Sequence, residues 1–266
     1  MSARGAGRDV GSPAARQPDG ARSRALEPQQ APPQTAPPQQ APLNRQQAPP
    51  QTAPPQITTV APPRSVLAYA RDLPNLCSLA GLLAASLGIY FAVRGTYPAA
   101  LIGLLWAVVF DWSDGRIARR LPARAASARA LGLQLDSLVD IVTFSVAPAL
   151  LLLSVGRLGL WFVPGAFVVL ATGALRLSYF NVFGPIDEST SRGLSLDNNV
   201  LALGFLFVFE PALGRASFAV VLYAALMVFA VLNVAAIATP KLGGRWYYAI
   251  IVYALVLSGV YAWQLR

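Results

Sequence analysis

The sequence has no histidine, a single cysteine and little charge. Only 12% of its 266 residues are charged, and Cys77 is the one cysteine. Without histidine, the chain cannot build imidazole zinc sites, Ser-His-Asp triads or imidazole general bases. One cysteine cannot form an intramolecular disulfide, and Cys77 lies in an apolar run where a small buried residue is expected. Any acid-base chemistry must therefore come from carboxylates.

Lysine is almost absent as well, so the charge of +9 comes almost entirely from arginine, with Lys241 as the single lysine. Hydrophobic residues make up 55% of the chain and the mean hydropathy is +0.50, which is too apolar for an ordinary soluble domain. The basic excess fits nucleic acid, acidic lipid headgroups or membrane-topology signals. The position of the arginines along the chain decides among these three.

Composition divides the chain into two regions. Residues 1–64 are rich in Pro, Gln, Ala and Arg, and they repeat the string QQAPPQTAPPQ at 29–39 and 46–56. No stretch there is apolar enough for a signal peptide or a span, so we expect a disordered cytoplasmic tail. Residues 65–266 are predicted to form one transmembrane domain.

Apolar stretches in this second region approach the length of about 20 residues that a membrane-spanning helix needs. Before them, residues 65–75 mix apolar and charged side chains and predict a short helix along the membrane surface. The predicted spans are Leu76–Val93, Tyr97–Phe110, Leu131–Ser154, Leu158–Phe180, Asn198–Leu213, Phe218–Thr239 and Trp246–Trp263.

The basic residues follow the positive-inside rule if the N-terminus is cytoplasmic. The connections on one side hold Arg116, Arg119, Arg120, Arg124, Arg129, Arg192, Lys241 and Arg245, whereas the alternate connections hold Arg94, Arg157 and Arg215. The arginine excess is therefore mostly a topology signal, and no nucleic-acid partner is predicted.

Four aspartates lie at or inside the second and third spans, where an unpaired charge is costly. Asp111 and Asp114 are spaced i, i+3, and Asp136 and Asp140 are spaced i, i+4, so each pair lies on one helix face. Four converging carboxylates would repel one another without a cation, and oxygen ligands of this kind suit Mg²⁺ or Mn²⁺. The structural alternative is that the aspartates form ion pairs with nearby arginines such as Arg116.

The residues around these aspartates form a longer pattern. Residues 111–119 read D-W-S-D-G-R-I-A-R, and after twelve residues 132–140 read G-L-Q-L-D-S-L-V-D. This pattern resembles the signature of the CDP-alcohol phosphatidyltransferases, D-x2-D-G-x2-A-R, a spacer, then G-x3-D-x3-D. Every fixed position is present, although the family's spacer usually has eight or nine residues.

The resemblance implies a set of roles. The four aspartates would hold two divalent cations, Mg²⁺ or Mn²⁺, at the pyrophosphate of a CDP-lipid, and Asp140 would also be the general base. The positions that match the family's cytidine nucleotide pocket are Gly115, Ala118, Arg119 and Gly132. The start of the first span adds Asn75 to this CDP-binding set, although an Asn after a Pro is also a common helix cap.

Further segments indicate the acceptor alcohol. The stretch after Asp140, I-V-T-F-S-V-A-P-A, is similar to that of bacterial phosphatidylserine synthases, as are R-L-S-Y-F-N-V at 176–182, R-G-L-S-L at 192–196 and N-V-x5-P-K at 233–241. They favour L-serine over glycerol 3-phosphate, inositol phosphate or choline, and predict Arg176, Asn181 and Ser145 as acceptor-binding residues. Arg176 could pair with the serine carboxylate.

The expected fold is an all-α polytopic transmembrane bundle, with the six-helix core of the family plus one extra C-terminal span. The resemblance implies a site that opens to the cytoplasm, CDP-diacylglycerol as donor, and a homodimer, in the inner membrane of a bacterial cell.

Two other functional classes are an ion-coupled transporter and an inactive scaffold. A transporter predicts acids at several depths, whereas the four aspartates lie together at one junction, and a scaffold would normally have lost one of them.

Overall fold

Backbone polar groups in a bilayer must be satisfied within the chain, so long apolar segments form helices. The computed structural model describes residues 65–121, 124–185, 190–240, 244 and 246–266. Its α-helices are α1 (Leu67–Ala70), α2 (Leu73–Val93), α3 (Tyr97–Arg120), α4 (Ala126–Ile141), α5 (Ala147–Val155), α6 (Val163–Phe183), α7 (Leu196–Leu206), α8 (Glu210–Leu213), α9 (Arg215–Val234) and α10 (Trp246–Gln264). The predicted tail at 1–64 lies outside the described residues, as do Lys241 and Arg245.

The all-α polytopic prediction is confirmed for the described part of the chain. Six of its helical segments are long and apolar enough to cross a membrane: Leu73–Val93, Ala126–Val155, Leu160–Phe183, Leu196–Leu213, Arg215–Val234 and Trp246–Gln264. These segments indicate an integral membrane protein. The sequence prediction of seven spans also counted Tyr97–Phe110, which the structure continues as α3 through a polar end to Arg120.

Helix α3 lies at the centre of the bundle. Its side chains Leu101, Leu104, Leu105 and Val108 are fully buried in the main hydrophobic core. Because α3 packs against other helices and not only against lipid, it tolerates polar residues that a lipid-facing helix would not. The carboxylates of α3 lie in its C-terminal half, where Asp114 is buried among the other helices.

Small residues bring α2 and α3 into close contact. A Cβ added to Gly103 would lie 2.7 Å from Ala84 O and 2.9 Å from Gly88 N, so the two backbones touch here. Close helix approach through glycine is common in membrane bundles. The contact holds the first half of α3 against the second half of α2.

The helix that carries the second aspartate pair changes its winding directly after Asp140. A π-helical turn, Val142–Val146, joins α4 to α5. Pro148 follows this turn, and proline lacks an N–H and crowds the carbonyl four residues earlier. A widened turn accommodates that missing hydrogen bond, and π turns are often found at functional sites.

Two short strands were not predicted from the sequence. Strand β1 (Thr190–Arg192) pairs antiparallel with β2 (Ala238–Pro240), with Ser191 opposite Thr239. The prediction that a helix runs through Phe218–Thr239 was wrong at its end, because α9 stops at Val234 and the chain then extends to pair with β1. The backbone bond from Gly193 N to Ile237 O, 2.8 Å long, continues this pairing.

Two helix starts also differ from their predictions. The predicted surface helix at 65–75 is divided into α1 and the first residues of α2, with a break at Arg71 and Asp72. The predicted span from Leu158 begins later, at a 3₁₀ turn over Leu160–Phe162, because Arg157 and Leu158 have positive φ and form a turn. The predicted C-terminal span is present as α10.

Candidate functional site

Two helices present the aspartates of the predicted site to each other. Asp111 and Asp114 lie on α3, and Asp136 lies on α4. One carboxylate oxygen from each of these three residues lies within 4.8 Å of the others. The spacing along each helix keeps its acids on one face, and α2 packs against both α3 and α4, so the acids of the two helices converge into a cluster of oxygen ligands. Such a cluster could hold a divalent metal ion.

Asp140 extends this cluster into the interior. Its carboxyl group lies beside that of Asp111, and both residues line the same cavity. The Oδ1 atom of Asp140 is buried and has no hydrogen-bond partner among the described residues. A buried oxygen without a partner is costly and indicates a missing ligand or cation.

Helix α2 supports the cluster from the other side. Ser78 donates a hydrogen bond from Oγ to Asp114 Oδ2 at 2.5 Å, and Asp114 is buried. This bond orients one carboxylate oxygen and leaves the other free for a ligand. Cys77, next to Ser78, makes a 3.3 Å contact from Sγ to Phe110 O, which fits the expected packing role.

The cavity beside the cluster has a volume of about 360 Å³. It is amphipathic, with charged side chains at several points and aromatic walls from Trp112, Phe144 and Phe180. Its charged and hydroxyl-bearing side chains include Asp111, Arg119, Asp140, Arg176, Ser191 and Asp197. A cavity of this size with convergent polar groups is a typical small-molecule site.

Of the predicted CDP-binding residues on α3, Arg119 lines the cavity. Gly115 and Ala118 lie on the same helix, half-buried, on the face that carries Asp111. A Cβ added to Gly115 would meet only Arg119 Nη1, at 3.5 Å, so the backbone here is open to a ligand. Arg119 itself is exposed and free to reach toward a phosphate.

The other two predicted CDP-binding residues meet between α2 and α4. A Cβ on Gly132 would lie 2.9 Å from Asn75 Oδ1 and 3.1 Å from Arg124 Nη2, so this site favours glycine. Asn75 is buried and donates from Nδ2 to Tyr69 O at 3.0 Å. Arg124 also pairs with Asp72. These contacts give Asn75 a structural partner in addition to its predicted role.

The three predicted acceptor-binding residues lie in different places. Arg176 is buried and lines the cavity, where it donates from Nε to Leu194 O at 3.3 Å and from Nη2 to Ser191 Oγ at 2.9 Å. Ser145 and Asn181 are not among the residues that line this cavity in the described chain.

Both residues make contacts between helices. Asn181 donates to Ser137 Oγ at 2.9 Å on an exposed face. Ser145 is buried in the π turn against Gly173, where an added Cβ would lie 1.9 Å from Ser145 Oγ. That hydroxyl has no hydrogen-bond partner among the described residues. Their predicted contact with the acceptor stays a prediction.

Sequence reasoning did not identify Ser191, Asp197 and Thr239, which line the far side of the cavity together with Ser195 of the R-G-L-S-L segment. Asp197 is buried and accepts a 2.9 Å hydrogen bond from Trp112 Nε1. The one available signal was an acid at the start of an apolar segment, which is a functional-site indication in a membrane protein. The hydroxyl residues gave no such signal.

Comparison with known proteins identifies the family. The chain matches the family description CDP-alcohol phosphatidyltransferase over residues 71–263. It is 38% identical to an archaetidylserine synthase of Methanothermobacter thermautotrophicus over 41% of this chain and 47% of that protein. It is 32% identical to a CDP-diacylglycerol–serine O-phosphatidyltransferase of Bacillus subtilis over 41% of this chain and 61% of that protein.

A phosphatidylcholine synthase of Brucella melitensis is also similar, at 30% identity over 52% of this chain and 49% of that protein. The chain thus spans about half the length of the curated relatives it matches. The family uses divalent metal ions, and Asp111, Asp114 and Asp136 could bind one. Since the family match covers most of the described helices and the whole aspartate cluster, the chain belongs to the CDP-alcohol phosphatidyltransferase family.

Proposed function

We propose that this protein transfers a phosphatidyl group from CDP-diacylglycerol to the hydroxyl of L-serine and releases CMP. The observation that carries the proposal is a single cavity that contains Asp111, Asp140, Arg119 and Arg176 beside the carboxylate cluster. Carboxylates that could activate a hydroxyl and arginines that could bind anions thus lie in one site. The similarity to two serine-specific relatives supports serine as the acceptor.

The carboxylates fit the divalent cations that the family uses. Three oxygens converge within 4.8 Å, and Asp140 adds a buried oxygen that no described residue satisfies. We propose that Asp111, Asp114, Asp136 and Asp140 hold two ions, Mg²⁺ or Mn²⁺. When bound, such ions neutralise pyrophosphate charge and assist departure of the CMP group.

Asp140 is proposed as the general base. Its carboxylate would accept the proton of the serine hydroxyl as that oxygen bonds to the lipid-bearing phosphorus of the donor. The bond from this phosphorus to the oxygen of CMP breaks, and CMP leaves with the electron pair. A carboxylate fixed beside the acceptor hydroxyl is suited to this proton transfer, because a general base must lie within hydrogen-bond distance of the proton that it accepts.

The two arginines of the cavity have separate proposed roles. Arg119 would bind the pyrophosphate, because a planar guanidinium donates to two phosphate oxygens at once. Gly115, Ala118, Gly132 and Asn75 would contact the rest of the nucleotide. Arg176 would bind the carboxylate of serine, and its existing hydrogen bonds to neutral oxygens leave its charge available.

The bilayer gives a reason for the location of the site. The donor keeps its acyl chains in the membrane while its nucleotide and serine come from water, so the reacting groups must meet near the surface. We propose that this surface is cytoplasmic, because the basic connections mark that side by the positive-inside rule. The protein is proposed to act as a homodimer in the inner membrane of a bacterial cell.

A second acceptor, choline, is favoured by the similarity to the phosphatidylcholine synthase of Brucella melitensis. Choline has no carboxylate, so it would leave the charge of Arg176 without a partner in the cavity. Glycerol 3-phosphate and inositol phosphate remain alternatives with the same chemistry. The relative named archaetidylserine synthase also makes an ether-linked donor lipid a candidate.

The experiment that tests this proposal measures CMP release by the purified protein with Mn²⁺ or Mg²⁺. CDP-diacylglycerol or a CDP-linked diether lipid is the donor, and L-serine, choline, glycerol 3-phosphate and inositol phosphate are offered separately. We expect metal-dependent release with serine alone. Release with another acceptor would keep the chemistry and reject serine, while absence of release with every pair would contradict the proposed reaction.

A further inference from the structure

Asp197 is the one acid outside the aspartate signature that lines the cavity in the described part of the chain. The other two described acids outside the signature have different surroundings: Asp72 pairs with Arg124, and Glu210 begins α8 away from the cavity lining. Asp197 is only 8% exposed. A buried acid that faces a cavity calls for a cationic partner.

The carboxylate of Asp197 is held in position by two elements. Its Oδ2 atom accepts a 2.9 Å hydrogen bond from Trp112 Nε1, which comes from the neighbouring helix α3. Asp197 also lies in the first turn of α7, where the helix dipole favours a negative charge. Neither neighbour supplies a full positive charge. Arg176 attracts Asp197 electrostatically, but among the described residues the two side chains form no direct ion pair. The carboxylate is therefore fixed in direction and still able to bind a cation in the cavity.

Asp197 and Arg176 are opposite charges that line one cavity, and Asp140 lines it as well. We propose that Asp197 binds the ammonium group of the acceptor and so makes the site specific for a zwitterionic amino alcohol. This inference rests on the proposed function. Asp140 would receive the hydroxyl proton, Arg176 would bind the carboxylate, and Asp197 would bind the ammonium.

This assignment explains acceptor choice by charge. Ethanolamine and choline carry the positive group but lack the carboxylate, so they satisfy Asp197 alone. Glycerol 3-phosphate and inositol phosphate bring an anion toward Asp197, which repels it. L-serine is the acceptor that neutralises both charged side chains at once. Specificity of this kind comes from penalties for the wrong ligand as well as from contacts to the right one.

The test is acceptor kinetics of the Asp197→Asn variant at saturating donor and Mn²⁺. Loss of one charge-assisted contact should raise the KM for L-serine by about 10- to 100-fold. The preference for L-serine over 3-hydroxypropionate, which is serine without its amino group, should fall by a similar factor. Asp197→Glu, which keeps the charge, should restore part of that preference.

A purely structural role for Asp197 would give another pattern. The KM for the CDP-lipid and the Mn²⁺ concentration for half-maximal activity should stay unchanged in Asp197→Asn if the residue contacts the acceptor. A shift in the Mn²⁺ requirement, with the serine KM unchanged, would overturn the assignment. Glu210→Gln serves as the matched control, because it removes an acid that does not line the cavity in the described chain.

A second variant keeps the test informative if Asp197→Asn does not fold. Trp112→Phe removes the donor to Asp197 and retains an aromatic ring, and it should raise the serine KM by about 2- to 10-fold. An unchanged KM in Trp112→Phe would then count against the inference.

The wild-type acceptor panel separates this inference from the proposed function. If the wild type uses serine and both variants keep its KM, only the ammonium assignment fails. If the wild type uses only an acceptor without an ammonium group, or none at all, both fail. If it uses ethanolamine or choline in place of serine, both the proposed acceptor and the specificity for a zwitterion are rejected.

Discussion

The carboxylate side of the cavity comes from two neighbouring helices, whereas the opposite side comes from four separate segments. Asp111, Asp114, Asp136 and Asp140 all lie on α3 and α4, within thirty residues of each other. We call the opposite side the Arg176 side. It is formed by Arg176 from α6, Ser191 from β1, Asp197 from α7 and Thr239 from β2.

The difference has a functional meaning under the proposed mechanism. The carboxylate side would carry the chemistry shared by the family, while the Arg176 side would select the alcohol. A selecting surface made of several segments can change one residue at a time without disturbing the aspartates. Variants on the carboxylate side should therefore reduce turnover, and variants on the Arg176 side should change acceptor affinity.

Asp140→Asn should have the largest effect, because it removes the proposed base and one cation ligand. We expect turnover to fall by about 100- to 10,000-fold, the usual contribution of a positioned general base. CMP release by the purified variant measures the loss, with Glu210→Gln as the control. A variant that retains most of its activity would remove Asp140 from the mechanism.

Arg176→Lys tests whether the Arg176 side of the cavity determines the affinity for the acceptor. A lysine keeps the charge but loses the two-pronged contact with a carboxylate, so the serine KM should rise by about 10-fold or more. Acceptor kinetics check this result, and Arg94→Lys at the exposed end of α2 is the control. If the Mn²⁺ requirement changed and the serine KM did not, the two sides of the cavity would not have separate roles.

Gly103→Ala tests the packing that holds the carboxylate side in place. The added methyl group would meet Ala84 O at 2.7 Å and Gly88 N at 2.9 Å, so α2 and α3 must separate. Overpacking of this kind typically costs about 1 to 3 kcal/mol. The thermal unfolding midpoint in detergent should fall.

The matched control for this prediction is Gly259→Ala in α10, where a new Cβ meets no atom within 4 Å. Its unfolding midpoint should stay the same or rise slightly, because alanine favours a helix more than glycine does. Equal stability of the two variants would show that the contact between α2 and α3 is not tight.

Ser78→Ala should have the smallest effect of the series. It removes the 2.5 Å hydrogen bond to Asp114, which orients a carboxylate of the cluster without being a ligand itself. We expect the Mn²⁺ concentration for half-maximal activity to rise by about 3- to 10-fold, in line with one lost hydrogen bond. The serine KM should not change, and a change there instead would contradict the division between the two sides.

The proximity of the aspartates could be predicted from the sequence, because helical spacing and local motif coincide there. Asp111 and Asp114 are one turn apart, so their common face follows from the helix alone. The end of α9 could not be predicted in the same way. Residues 235–239 are nearly as apolar as the helix before them, and hydropathy alone does not separate the end of a helix from a following extended segment.

The Arg176 side was predicted only in part. Arg176 was identified by resemblance and lines the cavity, whereas Asp197 was missed because an acid in the first turn of a helix has an ordinary local explanation. Its contact with Trp112 joins residues 85 positions apart. Contacts between distant segments depend on how the helices pack, and single-sequence patterns do not contain that information.

The proposed reaction in this cavity is the transfer of a phosphatidyl group to serine. Its most direct test is to incubate the reconstituted protein with CDP-diacylglycerol, Mn²⁺ and isotope-labelled L-serine, and to quantify the labelled lipid and CMP together. We expect labelled phosphatidylserine and CMP in equal amounts, and both should be lost in Asp140→Asn. CMP without labelled lipid, or equal lipid formation by Asp140→Asn, would contradict it.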